Sequence, residues 1–419
     1  MIGFLSKLAR STARLRARRE ALEELRRRKL RDTVAFAYRE IPLYRGLYGD
    51  TSPSVLDRAD LRNLPVLSPE VLKSRPIDEL KPHHACVDDL ILHGTSGSTG
   101  SPFRFYQSRE DVDIWYAHTL RYFALCGWRP WWTTAAVWRE DPSRKDGLLR
   151  RLVERLKVQV SIHRPPEEQA EILAAHRPRM IYGISSTLDV LATWMLENDR
   201  VLGTARLVVG MGEAISEPMG RRFREAFGHR GLNFYGANEC GLLGWECPLC
   251  GLFHFDEDAL EVEVVDDDLH PVGPGERGRL LVTTLDRTVL PLIRYDIGDL
   301  VTLPSEPLPD CPVAFRRFSR VDGRVVDRLV LKDGRTMSWH HVYTVTTALP
   351  GVTRIQFAQS RDGEVTVRYV PREGFEPGDI EADILRRLPI AGNADLVFQA
   401  RDEIPLEESG KFKLIKREG

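Results

Sequence analysis

Short apolar runs alternate with amphipathic stretches through roughly the first 320 positions, the pattern of strands alternating with helices. Ile91-Leu92, Ala135-Ala136-Val137, Met180-Ile181-Tyr182 and Leu207-Val208-Val209 are short, apolar and β-prone. Between them, 109–125, 146–157 and 166–176 carry helical spacing. This alternation predicts an α/β fold, a mostly parallel sheet with helices on its faces. The period then changes. Leu260-Glu261-Val262-Glu263-Val264 alternates strictly, and Gly278-Arg279-Leu280-Leu281-Val282-Thr283 follows it. Pro271, Gly273, Pro274 and Gly275 lie between, so the two read as a hairpin within a β-rich subdomain.

Near 320–327 the character changes again, and a small α+β unit ends the chain. It offers strands at 354–359 and 364–370 joined by Asp362-Gly363, a helix near 379–388 and a strand at 395–400. The first 34 residues are lopsided, with eleven Lys/Arg against four Asp/Glu. Leu15, Leu22, Leu25 and Leu30 recur near helical spacing and predict a basic amphipathic helix. Two uses fit it. It could meet an anionic partner, a membrane surface or a carrier protein, or it could pack on the body by its leucine side.

Composition narrows the function classes. A chain of 419 residues with 42% apolar content supports two or three domains. Net charge is −1, which gives no electrostatic bias toward nucleic acid. No apolar run reaches the ~18 residues of a transmembrane helix, and Ile2-Gly3-Phe4-Leu5 is too short for a signal-peptide core. Six cysteines in this length do not make a disulfide scaffold, so a reducing cytoplasm is expected.

Three stretches carry candidate chemistry. Gly94-Thr95-Ser96-Gly97-Ser98-Thr99-Gly100-Ser101-Pro102 has little side-chain bulk and many N–H and hydroxyl donors, which suits phosphate oxygens. It lacks the Gly-Lys-Ser/Thr ending of a Walker loop. Gly210-Met211-Gly212-Glu213 follows an apolar strand, and such glycine-rich exits are where open α/β sheets place ligands. Cys240, Cys247, Cys250 and His254, with Cys311 beyond, have spacing compatible with structural zinc; reduced buried thiols are the other reading.

Further segments are Phe234-Tyr235-Gly236-Ala237-Asn238-Glu239, Leu292-Ile293-Arg294-Tyr295-Asp296-Ile297-Gly298-Asp299, Val321-Asp322-Gly323-Arg324 and Ser409-Gly410-Lys411. In this order, after the glycine-rich loop, the set resembles the acyl-adenylate-forming (AMP-binding) superfamily. Ile41-Pro42-Leu43-Tyr44 and Leu64-Pro65-Val66-Leu67 make it most similar to the phenylacetate–CoA ligase branch. The resemblance runs from about residue 35 to the end. It implies a helical extension at 1–34, an adenylation domain at 35–322 and a mobile lid at 323–419. The implied activity is ATP-dependent activation of a small carboxylic acid and its transfer to CoA, with AMP and pyrophosphate released.

Roles follow from the same resemblance. Thr95, Ser96, Gly97, Ser98, Thr99 and Gly100 would cradle the β/γ-phosphates. Gly212 and Glu213 would wall the adenine pocket, Tyr235 would stack on the base, and Gly236, Ala237 and Asn238 would belong to the same ATP/AMP-binding segment. Glu239 would hold Mg²⁺, Asp299 the ribose hydroxyls, and Arg324 ribose or phosphate. Lys411 would bridge the acid carboxylate and the α-phosphate, with Lys413 and Lys416 as alternatives. Some relatives carry a metal at a Cys/His-rich insertion, implying zinc on Cys247, Cys250, His254 and Cys311. Trp138 and Tyr182, with Trp131 and Trp132, would line a pocket for an aromatic or bulky apolar acid.

Two departures matter. Phe103-Arg104 stands where many members carry a lysine, and Val326 stands at the hinge position, with Asp327 the nearest acidic residue. An amine or a carrier-protein thiol therefore stays open as acceptor, as does a non-catalytic nucleotide-binding protein. A homodimer is compatible with the sequence.

Overall fold

The structure is a computed structural model that describes residues 2–49, 58–94, 103–139, 156–324, 328–338, 342, 346, 349–388, 392–407 and 411–418. The chain divides into two compact units interleaved along the sequence. One comprises Met1–Trp132, Leu232–Ile297 and Val301–Arg320; the other comprises Thr133–Gly231, Gly298–Leu300 and Val321–Gly419.

In the first unit, strands Leu232–Ala237, Gly241–Glu246, Phe253–Phe255 and Arg317–Phe318 pair antiparallel in that order. Their packing centres on Phe318, whose ring stacks on Phe253 at 4.9 Å and Phe255 at 4.4 Å. Gly244 makes this possible, because a Cβ there would lie 2.5 Å from the His254 carbonyl and 2.9 Å from the Phe318 ring. The predicted hairpin forms between Leu260–Val265 and Arg277–Thr284. Ile91–Gly94 pairs antiparallel with Arg104–Gln107, so this ribbon stands outside any parallel sheet and its two strands bracket the glycine-rich loop. Arg104 is thereby a strand residue.

Helix Arg109–Leu125 matches its predicted bounds, and its start is dictated locally. Ser108 Oγ accepts the Asp111 N–H at 3.0 Å and Asp111 Oδ2 accepts the Ser108 N–H at 2.9 Å, a reciprocal capping box.

The N-terminal extension is two helices, Ile2–Arg14 and Arg19–Glu40. Leu15, Leu22 and Leu30 are buried, as a leucine-side docking requires. The basic residues do more than solvate the outer face. Arg19 donates to both Glu257 oxygens, at 2.7 and 3.0 Å, and Arg26 donates to Glu257 at 2.7 Å and also to Glu261. Lys29 reaches the Asp258 carbonyl and Asp286, each at 2.6 Å. These three cations are committed to an acidic strip of the same unit, and so are not offered to an anionic partner.

In the second unit, Lys157–Ser161, Thr134–Trp138, Met180–Ile184 and Leu207–Met211 form a parallel array in that order. Helices Pro166–His176, Ser185–Glu197 and Glu217–Phe227 contribute to its core, which includes Val137, Ile181, Leu188, Val208 and Phe223. Of the predicted helix 146–157, residues 146–155 lie outside the described residues and Lys157 opens a strand. A separate hydrophobic cluster is built from 329–415 and includes Phe357, Val367, Tyr369 and Ile384. Its hairpin, Val352–Gln359 with Val365–Pro371, turns at Asp362-Gly363, where Gly363 has φ +92°. Leu396–Ala400 and Ile415–Arg417 add as parallel strands, with helix Pro377–Arg387 completing the unit that the sequence predicts there.

Candidate active site and metal centre

In the first unit, the segment 235–239 begins where strand pairing slips. The register shifts between Tyr235, opposite Gly244, and Gly236, opposite Leu242. Gly236 is required there, since a Cβ would lie 2.9 Å from the Gly241 carbonyl and 3.1 Å from the Phe234 ring. Tyr235 is half-buried and presents its ring edge-on to Phe318 at 6.1 Å. Asn238 Nδ2 donates to the Gly94 carbonyl at 3.1 Å. That bond ties the segment to the last described residue before the glycine-rich loop. Thr95, Ser96, Gly97, Ser98, Thr99 and Gly100 themselves lie outside the described residues.

Glu239 stands two residues beyond Ala237, and its Oε1 accepts the Tyr295 hydroxyl at 3.3 Å. Arg287 donates to the Glu239 carbonyl at 3.3 Å. Burial pulls the Arg287 guanidinium below its ordinary pKa, opposed by Asp111, Cys240 and Glu239. Arg287 has no sequence signature. It is held where it is because Thr288 N–H donates at 2.7 Å to Asp111, the capping residue of helix Arg109–Leu125.

In the second unit, strand Leu207–Met211 exits into Gly212, whose φ is +79°. A Cβ at Gly212 would lie 2.9 Å from Lys411 Cε and 3.5 Å from its Nζ, so Lys411 runs directly over that α-carbon. The structure thus brings together residues 199 positions apart. Glu213 Oε1 accepts the Phe412 N–H at 2.8 Å, Oε2 accepts the Ser186 N–H at 3.1 Å, and its own carbonyl accepts Ser185 Oγ at 2.7 Å. Burial raises the Glu213 pKa, opposed by Ser186, Lys411 and the Phe412 amide. The carboxylate expected in the adenine wall is therefore engaged with two backbone amides.

Asp299 is buried on strand Tyr295–Thr302, and Arg324 ends strand Arg320–Arg324. Val326 and Asp327 lie outside the described residues. Lys416 sits on the strand Ile415–Arg417 opposite Ala358, and the Lys413 carbonyl accepts Gln356 Nε2 at 2.9 Å. Ala136 pairs with Tyr182, so Trp138, two residues on, shares the Tyr182 face. Both are half-buried, and Lys157 Nζ lies 5.4 Å over the Tyr182 ring. Trp131 is 67% exposed.

The first unit also gathers Cys247, Cys250, His254 and Cys311, with all four potential ligand atoms within 4.8 Å of one another. Cys247 Sγ and Cys311 Sγ are 3.8 Å apart, and His254 Nε2 is 3.7 Å from Cys250 Sγ and 3.4 Å from Cys311 Sγ. A tetrahedral zinc at ordinary bond lengths separates two sulfurs by about 3.8 Å and a sulfur from a nitrogen by about 3.6 Å. The donor set fits that ion. His254 Nδ1 lies 2.8 Å from the Phe315 carbonyl, a bond that makes Nδ1 the donor and turns the lone pair of Nε2 toward the cysteines. Burial pushes the Cys247 thiol up to about 12 and the His254 pKa down to about 4. Cys240 is buried and stands outside this group.

Comparison with known proteins places the chain among adenylate-forming enzymes. A family model described as AMP-binding enzyme matches residues 148–285. The phenylacetate–coenzyme A ligase of Escherichia coli strain K12 is 27% identical over 332 residues, 75% of this chain and 73% of that one. The enzyme of the same name from Thermus thermophilus is 26% identical over 376 residues, 86% and 83% of the two chains. Among solved structures, 2-hydroxyisobutyryl-CoA ligase in the postadenylation state with 2-HIB-AMP superposes with a TM-score of 0.75 at 19% identity, covering 94% of this chain and 89% of that one. ATP-bound MatB from Rhodopseudomonas palustris gives 0.56 at 16% identity, covering 78% and 67%. These two likenesses establish the fold.

Proposed function

Because the chain belongs to the AMP-binding enzyme superfamily, in its phenylacetate–CoA ligase-like branch, we propose that it activates a carboxylic acid with ATP as an acyl-adenylate and passes the acyl group to CoA. The observation that carries this reading is Lys411, laid over Gly212 at the end of a parallel strand by a chain segment that returns from the C-terminus.

The reaction needs a carboxylate oxygen to attack the α-phosphorus while pyrophosphate leaves, so negative charge accumulates at phosphorus. Lys411 Nζ would bridge the acid and the α-phosphate and offset that charge. Asp299 would accept the ribose hydroxyls, and Arg324 would add a fixed positive charge beside them. Tyr235 would stack on adenine, and the Gly94-rooted loop 95–100 would donate to the β/γ-phosphates. Glu239 would hold Mg²⁺, a hard cation for a hard oxygen ligand, which supplies neutralisation of the phosphates when bound. Residues 323–419 would act as the lid. The shared face of Trp138 and Tyr182 supports an aromatic or bulky apolar acid.

Cys247, Cys250, His254 and Cys311 would hold a four-ligand structural zinc, which fits a protein kept in the reducing cytoplasm. Among the described residues no helix is long and apolar enough to cross a membrane. The direct test is acid-dependent pyrophosphate release across a panel of aryl and alkyl acids, followed by CoA-dependent thioester formation. Pyrophosphate release without any thioester would replace CoA by another acceptor; silence with every acid in the panel would overturn the reading.

A further inference from the structure

Glu213 has a geometry that wall-lining of a nucleotide pocket does not require. Its side chain is half-buried, and its two oxygens serve two different chain segments. One oxygen takes the first-turn amide of Ser186 in helix Ser185–Glu197, and the other takes the amide of Phe412, the residue after Lys411. The Ser185 hydroxyl fixes the Glu213 backbone, and Gly210 leaves room for that hydroxyl, since a Cβ there would lie 2.4 Å from it. On the far side, Phe412 is held by its ring as well as its amide. The Arg354 guanidinium lies 5.5 Å over that ring and donates to the Ile404 carbonyl. Phe357 N–H donates to the Leu414 carbonyl at 2.7 Å, so the lysine-bearing segment runs straight into the strand Ile415–Arg417.

We propose that Glu213 is the positioning residue for Lys411: its carboxylate latches the Phe412 amide to the start of helix Ser185–Glu197 and thereby lays the lysine over Gly212. This rests on the adenylation reading. A carboxylate is suited to the task because it offers two acceptor oxygens and no donor, so it joins two amides that could not join each other. The latch belongs to the first half-reaction alone, because only adenylation uses the lysine at phosphorus. Transfer of a preformed acyl group to a thiol gains nothing from it.

The test separates the latch from the activity. Hydrogen–deuterium exchange of the peptide spanning 411–418 is followed in the wild type, Glu213→Ala, Glu213→Gln and Phe412→Pro, with far-ultraviolet circular dichroism confirming the fold. In parallel, pyrophosphate release is measured with phenylacetate and the acid panel, and CoA transfer is measured from supplied phenylacetyl-adenylate. Glu213→Ala should abolish protection of the Phe412 amide. It should slow pyrophosphate release about 10- to 100-fold, the scale of one hydrogen bond to a charged group, and slow transfer from the supplied adenylate by a clearly smaller factor. Glu213→Gln, with one carbonyl oxygen left, should fall between. Phe412→Pro removes the donor instead of the acceptor and should reproduce the same split, and the double variant should be no slower than Glu213→Ala. Unchanged exchange at Phe412 in Glu213→Ala overturns the latch, as does equal loss in both half-reactions. Protection lost in Glu213→Ala, with a wild type silent toward every acid, would uphold the latch and overturn the activity.

Discussion

Glu257 is the residue on which acid stability should turn. It is fully buried and receives Arg19 through both oxygens, Arg26 at 2.7 Å, the Arg316 amide at 2.7 Å and the Arg316 guanidinium. Burial alone would raise its pKa, but Arg316, Arg19 and Arg26 outweigh this and hold it at about 2, against an ordinary 4.5. The drop from 4.5 to about 2 is worth about 3 kcal/mol, at about 1.4 kcal/mol per factor of ten. A pKa lowered by folding contributes stability that is complete above about 4.5 and fades as pH falls toward 2. Glu257→Gln mimics the protonated carboxyl with little change in shape. At pH 7 the wild type should therefore exceed Glu257→Gln by about 3 kcal/mol; at pH 3 the gap should shrink to about 1.4 kcal/mol. Urea unfolding at the two pH values, followed by tryptophan fluorescence, measures both gaps. A gap below about 0.5 kcal/mol at pH 7 would mean that the three arginines find other partners. A gap that does not narrow at pH 3 would mean that the loss is steric and the charge irrelevant. Either result would refute the view that the N-terminal helices are fastened by this carboxylate.

Lys411→Ala should cut acyl-adenylate formation by about 100-fold while ATP still binds, as pyrophosphate release and nucleotide titration would report; near-normal release would move the role to Lys413 or Lys416. Gly212→Ala places a Cβ 2.9 Å from Lys411 Cε at a φ of +79°, so it should displace the lysine and slow the same step by about tenfold or more with Lys411 still present. Metal analysis should find about one zinc per chain, and Cys247→Ser should lose that zinc and lower the melting temperature, since a closed four-ligand site contributes to folding. Full zinc content in Cys247→Ser would remove Cys247 from the ligand set.

Elements with local causes were legible in the sequence. Helix Arg109–Leu125 begins where Ser108 and Asp111 satisfy each other's amides, three positions apart. The hairpin at Val352–Gln359 turns on Asp362-Gly363, which a reader of the chain can see. Strand Gly241–Glu246 carries no such local mark. Every one of its residues is buried, so it has no alternation to announce it. The same rule governs the sites. The cysteine spacing could point to a metal centre because three of its four residues fall within 247–254. The charge on helix Arg19–Glu40 was plain, but its meaning was not, since Glu257 lies 238 residues beyond Arg19. Glu213 is the sharpest case. Its position after a strand and a glycine marks it as near a ligand, and nothing nearby in the sequence tells it apart from a wall residue. Only when the chain returns to set the Phe412 amide against its oxygen does its carboxylate become a fastening for the lysine, so its role is a property of the fold and of no motif.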